Sequence, residues 1–283
     1  MIKKKYSIPS KAIKLILQVT LSNFTFLEKI QVFLFISSNY LKGKFTRANK
    51  NPVCSKIFNF KIYSFDYATL NFLFKEIFLS KEYNFDSSNR SPKIIDCGAN
   101  IGMTILFFKK LFPNCSIIAF EPNPYAFELL KRNVTENNLT NIQLFNIGLA
   151  KINGEMKFYM GNNKGTLVGS FISERGGENE IRVKTRKLSE IINNEEFDLI
   201  KMDIEGSEIQ VIKDLISERK INQIKRYLIE YHHRISGIKS NFSYFIQCFE
   251  DNNYEYNIRT NFNQIGDFQD IFLDIYMEEN ILN

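Results

Sequence analysis

From residue 93 onward the chain alternates short apolar runs with longer amphipathic stretches, and this rhythm restricts the fold more than any other feature. Residues 93–97, 116–120, 142–145, 197–202 and 226–230 have strand length. Residues 103–112, 124–137 and 207–218 carry apolar side chains at helical spacing. Ser207 is placed to cap the last of these. Strands separated by helices imply a mainly parallel sheet with helices on both faces. A further helix is expected over 242–251. Two closing strands, 254–259 and 271–277, have no long helix between them, which predicts an antiparallel edge. Residues 155–183 are Gly-rich, with strand-like pieces at 156–160 and 181–185.

In such sheets ligands bind beyond the carboxyl ends of the strands. The conspicuous polar residues Asp96, Glu121, Asn146, Asp203 and Glu230 fall at those ends. Asp96-Cys97-Gly98-Ala99-Asn100-Ile101-Gly102 is a strand, a glycine turn and a helix start. Gly98 lets the chain turn tightly and approach a ligand closely. The exposed amides at the start of the following helix favour a carboxylate or phosphate. A dinucleotide fingerprint would need glycine at Asn100 and Met103, and no G-K-[ST] follows, so a bridging pyrophosphate and a P-loop are both disfavoured. An acid at the next strand end, Glu121, accepts hydrogen bonds from both hydroxyls of a ribose. The ligand is therefore nucleoside-like, and S-adenosylmethionine (SAM) fits. Asp96 is expected on its ammonium side and Asn146 near its adenine.

Residues 1–61 hold eleven lysines and Arg47 against the single acid Glu28, a charge of +11, which leaves −5 for the remainder. Two amphipathic helices, 10–22 and 25–40, fit this arm. Lys14 interrupts the first apolar run, and joining the two runs would put Glu28 and Lys29 in mid-membrane, so neither a signal peptide nor a spanning helix is expected. The arm is expected to pack on the body, to pair two subunits, or to touch an anionic membrane surface. Residues 43–53 read as a linker, 57–62 as a strand, and 67–79 as a helix with Leu70, Leu73, Phe74 and Ile77 on one face. The division expected is a basic helical extension over 1–55 and a catalytic domain over 56–283. Cys54, Cys97, Cys115 and Cys248 show no zinc spacing, so reduced thiols in a cytoplasmic protein are expected.

Several segments together resemble the FkbM family of SAM-dependent methyltransferases. They are residues 95–102, Phe120-Glu121-Pro122-Asn123-Pro124, Lys201-Met202-Asp203-Ile204-Glu205-Gly206-Ser207-Glu208 and Ile229-Glu230-Tyr231-His232. The resemblance spans about 56–277. It implies a Rossmann-like class I methyltransferase fold with a mostly parallel seven-stranded sheet. It also implies O-methylation of a sugar hydroxyl in a glycan, a lipid-linked saccharide or a secondary metabolite. Cofactor contacts are expected from Asp96, Gly98, Ala99, Asn100, Gly102, Glu121, Asn146 and Asp203.

Asp203 and Glu205 are expected as catalytic carboxylates and share a face if the chain there is extended. Glu208 opens the next helix, where its charge complements the dipole. His232 is expected as general base, on the same face as Glu230 and opposite His233. The loop 161–177 is expected on the acceptor side, with Ser170 and Lys164 as contacts and Glu230 as a further substrate residue. Asp203, Glu205, Glu230 and His232 carry donors that suit Mg or Mn, but their spacing matches no dedicated motif, and a metal-free site is expected. An RNA methyltransferase gripping phosphates with the basic arm, and a non-catalytic nucleoside-binding protein, are the competing functions. The arm lacks the aromatic interleaving of an RNA module, which sets nucleic acid below a small-molecule or glycan acceptor.

Overall fold

The computed structural model describes residues 8–45, 52–80, 82–161, 168–235, 237–239, 241–260 and 269–277. The chain divides into two compact units, 1–82 and 83–283.

The first unit begins with helices α1 (Ile8–Thr20) and α2 (Phe26–Phe45). An antiparallel hairpin follows, β1 (Val53–Ile57) and β2 (Phe60–Ser64), and then helix α3 (Tyr67–Phe74), which runs on as a π-helical turn over Lys75–Leu79. The strand expected at 57–62 is thus the middle of a hairpin, turning at Phe58 with φ 53°. A buried polar cluster explains why the hairpin joins the helices. Ser55 Oγ donates to Asn39 Oδ1 at 2.5 Å, Asn39 Nδ2 to Asn71 Oδ1 at 3.2 Å, and Asn71 Nδ2 to the Ile36 carbonyl at 3.0 Å. Each partner is needed, because an unpaired buried amide is costly. Phe74 stacks on Phe78 at 4.8 Å and lies 4.9 Å from Phe35.

The second unit contains β3 (Lys93–Cys97), α4 (Met103–Leu111), β4 (Ser116–Phe120), α5 (Pro124–Glu136), β5 (Ile142–Phe145), β6 (Gly148–Leu149), β7 (Gly154–Met160), β8 (Gly169–Ser170), α6 (Ser173–Gly176), β9 (Asn179–Arg186) and α7 (Leu188–Ile192). It continues with β10 (Leu199–Met202), α8 (Glu208–Ser217), β11 (Arg226–His233), α9 (Phe242–Glu250), β12 (Tyr254–Thr260) and β13 (Gln269–Met277). The main sheet has seven strands in the order β12-β13-β11-β10-β3-β4-β5. Only the pairings of β13, with β11 and β12, are antiparallel. This is the Rossmann-like class I methyltransferase arrangement, with β12 and β13 forming the antiparallel pair at one edge.

Ile95, Ile200, Met202, Tyr227, Ile229 and Leu273 project to one face and pack against Val211, Leu215, Phe245 and Phe249 of α8 and α9. The alternate residues Ile94, Leu199 and Leu228 are equally buried. Burial on both faces is why these strands read as continuous apolar runs. Strands β6–β9 form a second, four-stranded sheet in the order β6-β9-β7-β8 from the Gly-rich segment. The order of the main sheet reverses between β3 and β10, so the crevice beyond their carboxyl ends is the topological switch point.

Candidate functional site

The loop after β3 closes over the end of β10. Gly98 has φ +81°, and a side chain there would drive into the Asp203 carbonyl oxygen. Gly102 has φ +86°, with Leu130 of α5 where its Cβ would stand. The Gly98 and Ala99 amides donate to the Phe120 carbonyl at 3.0 and 2.9 Å. Glu121 leaves β4 beneath this loop. Its Oε2 accepts from the Asn100 amide at 2.7 Å, and its Oε1 from the Asn123 amide at 2.8 Å. Each oxygen retains one lone pair, which matches the two hydroxyls of a ribose. Burial pushes the Glu121 carboxyl up to about 7, against the pull of the two amides. Asn146, expected near an adenine, sits at the exposed rim and donates to the Glu121 carbonyl at 2.7 Å.

Asp96 lies deeper than expected. It is fully buried, accepts a hydrogen bond from Thr104 of α4, and faces Lys201 at 3.5 Å. It braces the loop from below through Thr104 and Lys201. Lys201 is buried too. Its Nζ donates to the Gly98 carbonyl at 2.8 Å and stands 3.8 Å from Asp203. Burial opposes its charge, but Asp96 and then Asp203 more than offset that and raise its pKa.

Asp203, Glu205, Glu208 and His232 gather beyond β10 and β11. His232 Nδ1 lies 2.8 Å from Glu208 Oε1, and its Nε2 lies 3.2 Å from Glu205 and 3.7 Å from Asp203. Burial disfavours the charged ring, yet Glu208, followed by Glu205 and Asp203, holds the imidazole up at about 10. An imidazolium has no free lone pair, so the general-base role expected for His232 is not met in this state. Asp203 is the most open of these carboxylates, with 29% of its side chain exposed against 15% for Glu205 and 2% for Glu208. His233 lies instead beside Phe242, its ring 6.1 Å away.

Residues 203–206 are not extended. Glu205 is left-handed (φ 55°) and Gly206 follows at φ +103°. The hydroxyl of Ser170 fixes this turn by donating to the Glu205 carbonyl at 2.6 Å, so Ser170, expected on the acceptor side, is buried and committed. Arg175 Nε binds Glu205 Oε2 at 2.5 Å. Burial still lifts the Glu205 carboxyl above its usual range, despite His232 and Arg175. Ser207 is the N-cap residue of α8 but makes no side-chain cap; Glu208 Oε1 accepts the Gly206 amide at 3.0 Å in its stead. Lys164 lies outside the described residues.

Glu230 shares its face with His232, as alternation requires, and one donor atom each from Glu230, His232 and Asp270 falls within 4.8 Å of the others. The same holds for Asp203, Glu205 and His232. These donors would suit Mg or Mn, but Arg175 already supplies a positive charge to Glu205. Sequence reasoning missed Lys201, Arg175 and Asp270. A lysine inside an apolar strand was the one available signal. Beside the cluster lies a cavity of about 510 Å³, lined by Ile152, Phe171, Ile172, His232, Arg234 and Ile238 among the described residues.

The pH dependence of Glu121 offers a direct measurement. If its carboxylate takes up ribose hydroxyls, SAM affinity rises between pH 6 and pH 8 by roughly tenfold, as the ionised fraction grows through about 7. Calorimetric titrations at the two pH values check this. Glu121→Gln should remove the dependence along with most of the affinity.

The Methyltransferase FkbM domain matches residues 96–256. "Methyltransferase sdnD" of Sordaria araneosa is 29% identical over 179 residues, 52% of this chain and 69% of that protein. "2-O-methyltransferase NoeI" of Sinorhizobium fredii is 30% identical over 138 residues, 43% of this chain and 56% of that protein. The crystal structure of Methyltransferase FkbM from Methylobacillus flagellatus superposes with a TM-score of 0.48 at 14% identity, covering 93% of this chain and 59% of that one. The family match takes in the loop after β3, Glu121 and the whole carboxylate–histidine cluster, and the chain belongs to the FkbM methyltransferase family.

Proposed function

We propose that this chain is a SAM-dependent O-methyltransferase whose acceptor is a hydroxyl on a saccharide-bearing molecule or secondary metabolite. One observation carries the reading: the Glu121 cradle and the open carboxylate of Asp203 stand at the carboxyl ends of β4 and β10, on either side of β3 and its glycine loop. When bound, the cofactor supplies a methyl group on a positive sulfur, open to in-line displacement by oxygen. Glu121, held in place by the Asn100 and Asn123 amides, would fix its ribose, and holding the reacting atoms in line supplies much of the acceleration. Asp203 accepts the proton of the acceptor hydroxyl. His232, charged and pinned by Glu208, positions Asp203 and Glu205 and balances their charge. The cavity beside His232, largely apolar with Arg234 at its wall, suits the acceptor. The Sinorhizobium relative, named as a 2-O-methyltransferase, supports oxygen as the nucleophile.

Calorimetry with SAM and S-adenosylhomocysteine tests the cofactor half. Binding of both is expected, and a folded sample that binds neither would sink the proposal. With labelled SAM and a panel of glycosides, Asp203→Asn should lower transfer by about 10²-fold or more while SAM still binds. Unchanged transfer removes Asp203 from the chemistry.

A further inference from the structure

Helix α2 is apolar on two opposite sides. Val32, Phe35, Ile36 and Asn39 are buried within the first unit. On the other side Leu27, Ile30, Leu34, Leu41 and Phe45 recur at helical spacing, and Leu27, Leu34 and Phe45 are 70%, 60% and 85% exposed. Helix α1 repeats the pattern with Ile13, Ile16 and Leu17 exposed and Val19 buried. A helix apolar all round is normally covered, and exposed apolar stripes of this length mark an interaction surface. Yet no described helix is long and apolar enough to cross a membrane.

Charge identifies the occupant. The stripes lie in the segment that carries +11, while the rest of the chain is negative. Lys42 and Lys44 are exposed on the last turn of α2, and Lys44 lies 4.6 Å from the Tyr40 ring. Apolar side chains flanked by lysines whose stems are themselves apolar suit the boundary between acyl chains and headgroups. Each basic residue near an anionic surface adds to binding, whereas a polyanion such as RNA leaves the leucines without a partner. We infer that the first unit lies on an anionic phospholipid surface through the outward sides of α1 and α2, anchored in the interface without spanning it. The inference does not depend on the methyltransferase reading.

Co-sedimentation of the full chain with phosphatidylcholine vesicles, with and without phosphatidylglycerol, tests it. Binding is expected to need the anionic lipid and to weaken as salt screens the lysines. Leu27→Glu with Leu34→Glu, at exposed positions that leave the core intact, should weaken binding by at least about tenfold while leaving SAM affinity unchanged. Light scattering and RNA retention run in parallel. Absence of vesicle binding overturns the inference, whether the chain proves to be a dimer that the double variant splits, an RNA binder, or neither. Vesicle binding that the double variant leaves intact overturns it as well.

Discussion

Replacing Gly98 with alanine is expected to abolish measurable SAM binding and to lower the thermal midpoint by about 6 °C or more. Two independent costs meet at this residue. Its φ of +81° is a conformation that an L side chain adopts at about 1–2 kcal/mol. The added methyl would also collide with a backbone atom, the Asp203 carbonyl oxygen, which no rotamer change can move aside. The loop must then lift away from β10. That motion pulls the Asn100 amide off Glu121 and the Gly98 carbonyl off Lys201, so the ribose cradle and the buried brace are lost together. Gly102→Ala makes a useful contrast. It meets only the flexible tip of Leu130, so it should cost less affinity despite a similar φ. Differential scanning fluorimetry and calorimetry on both variants measure the two effects. Wild-type SAM affinity in Gly98→Ala would show that the loop does not carry the cofactor.

The second large effect concerns His232 and Glu208. Removing one member of a buried ion pair strands the other charge, at a typical cost of about 3–5 kcal/mol. His232→Ala should therefore destabilise by that amount, leaving Glu208 buried without its nearest cation. The pair also fixes a pH dependence. His232 binds its proton more tightly when folded, at about 10 against an ordinary 6.5. Its stabilisation is fully present below pH 6.5 and is lost as pH rises through about 10. Unfolding midpoints between pH 7 and pH 10 should fall more steeply for the wild type than for His232→Gln, which carries no titrating ring. Parallel curves for the two proteins would place the proton elsewhere.

The strands at 93–97, 116–120 and 142–145 were legible to the residue: the first two are mostly buried and read as near-continuous apolar runs, and the third, an edge strand with Gln143 exposed, still shows its apolar residues between turn residues. β11 extends three residues past the expected end at 230, since Tyr231, His232 and His233 do not look apolar although they are paired with β13. The hairpin at Val53–Ser64 escaped because Phe58 keeps the alternation going through its turn. At the site, Glu121, Asp203 and His232 were legible from their places at strand ends. What each one touches was not. Arg175 reaches Glu205 across 30 positions and Lys201 reaches Gly98 across 103, and no local pattern encodes such separations. The same blindness put Ser170 and Asp96 on the open side of the site, when hydrogen bonds had already claimed both.

The tie between β8 and the turn after β10 has a consequence for how this enzyme could change its substrate. Ser170 and Arg175 both come from the second sheet's segment, and both grip Glu205. The same segment contributes Ile152, Phe171 and Ile172 to the cavity wall, whereas Glu121 is held by the amides of Asn100 and Asn123. If the proposed function holds, recognition of the acceptor and geometry of the proton-handling cluster would be inherited as one cassette, separable from the cofactor half. A graft of residues 148–186 from a relative would import new selectivity safely only if it brought equivalents of Ser170 and Arg175. Without them the donor's pocket would arrive on a turn that keeps only its ties to Glu208 and His232.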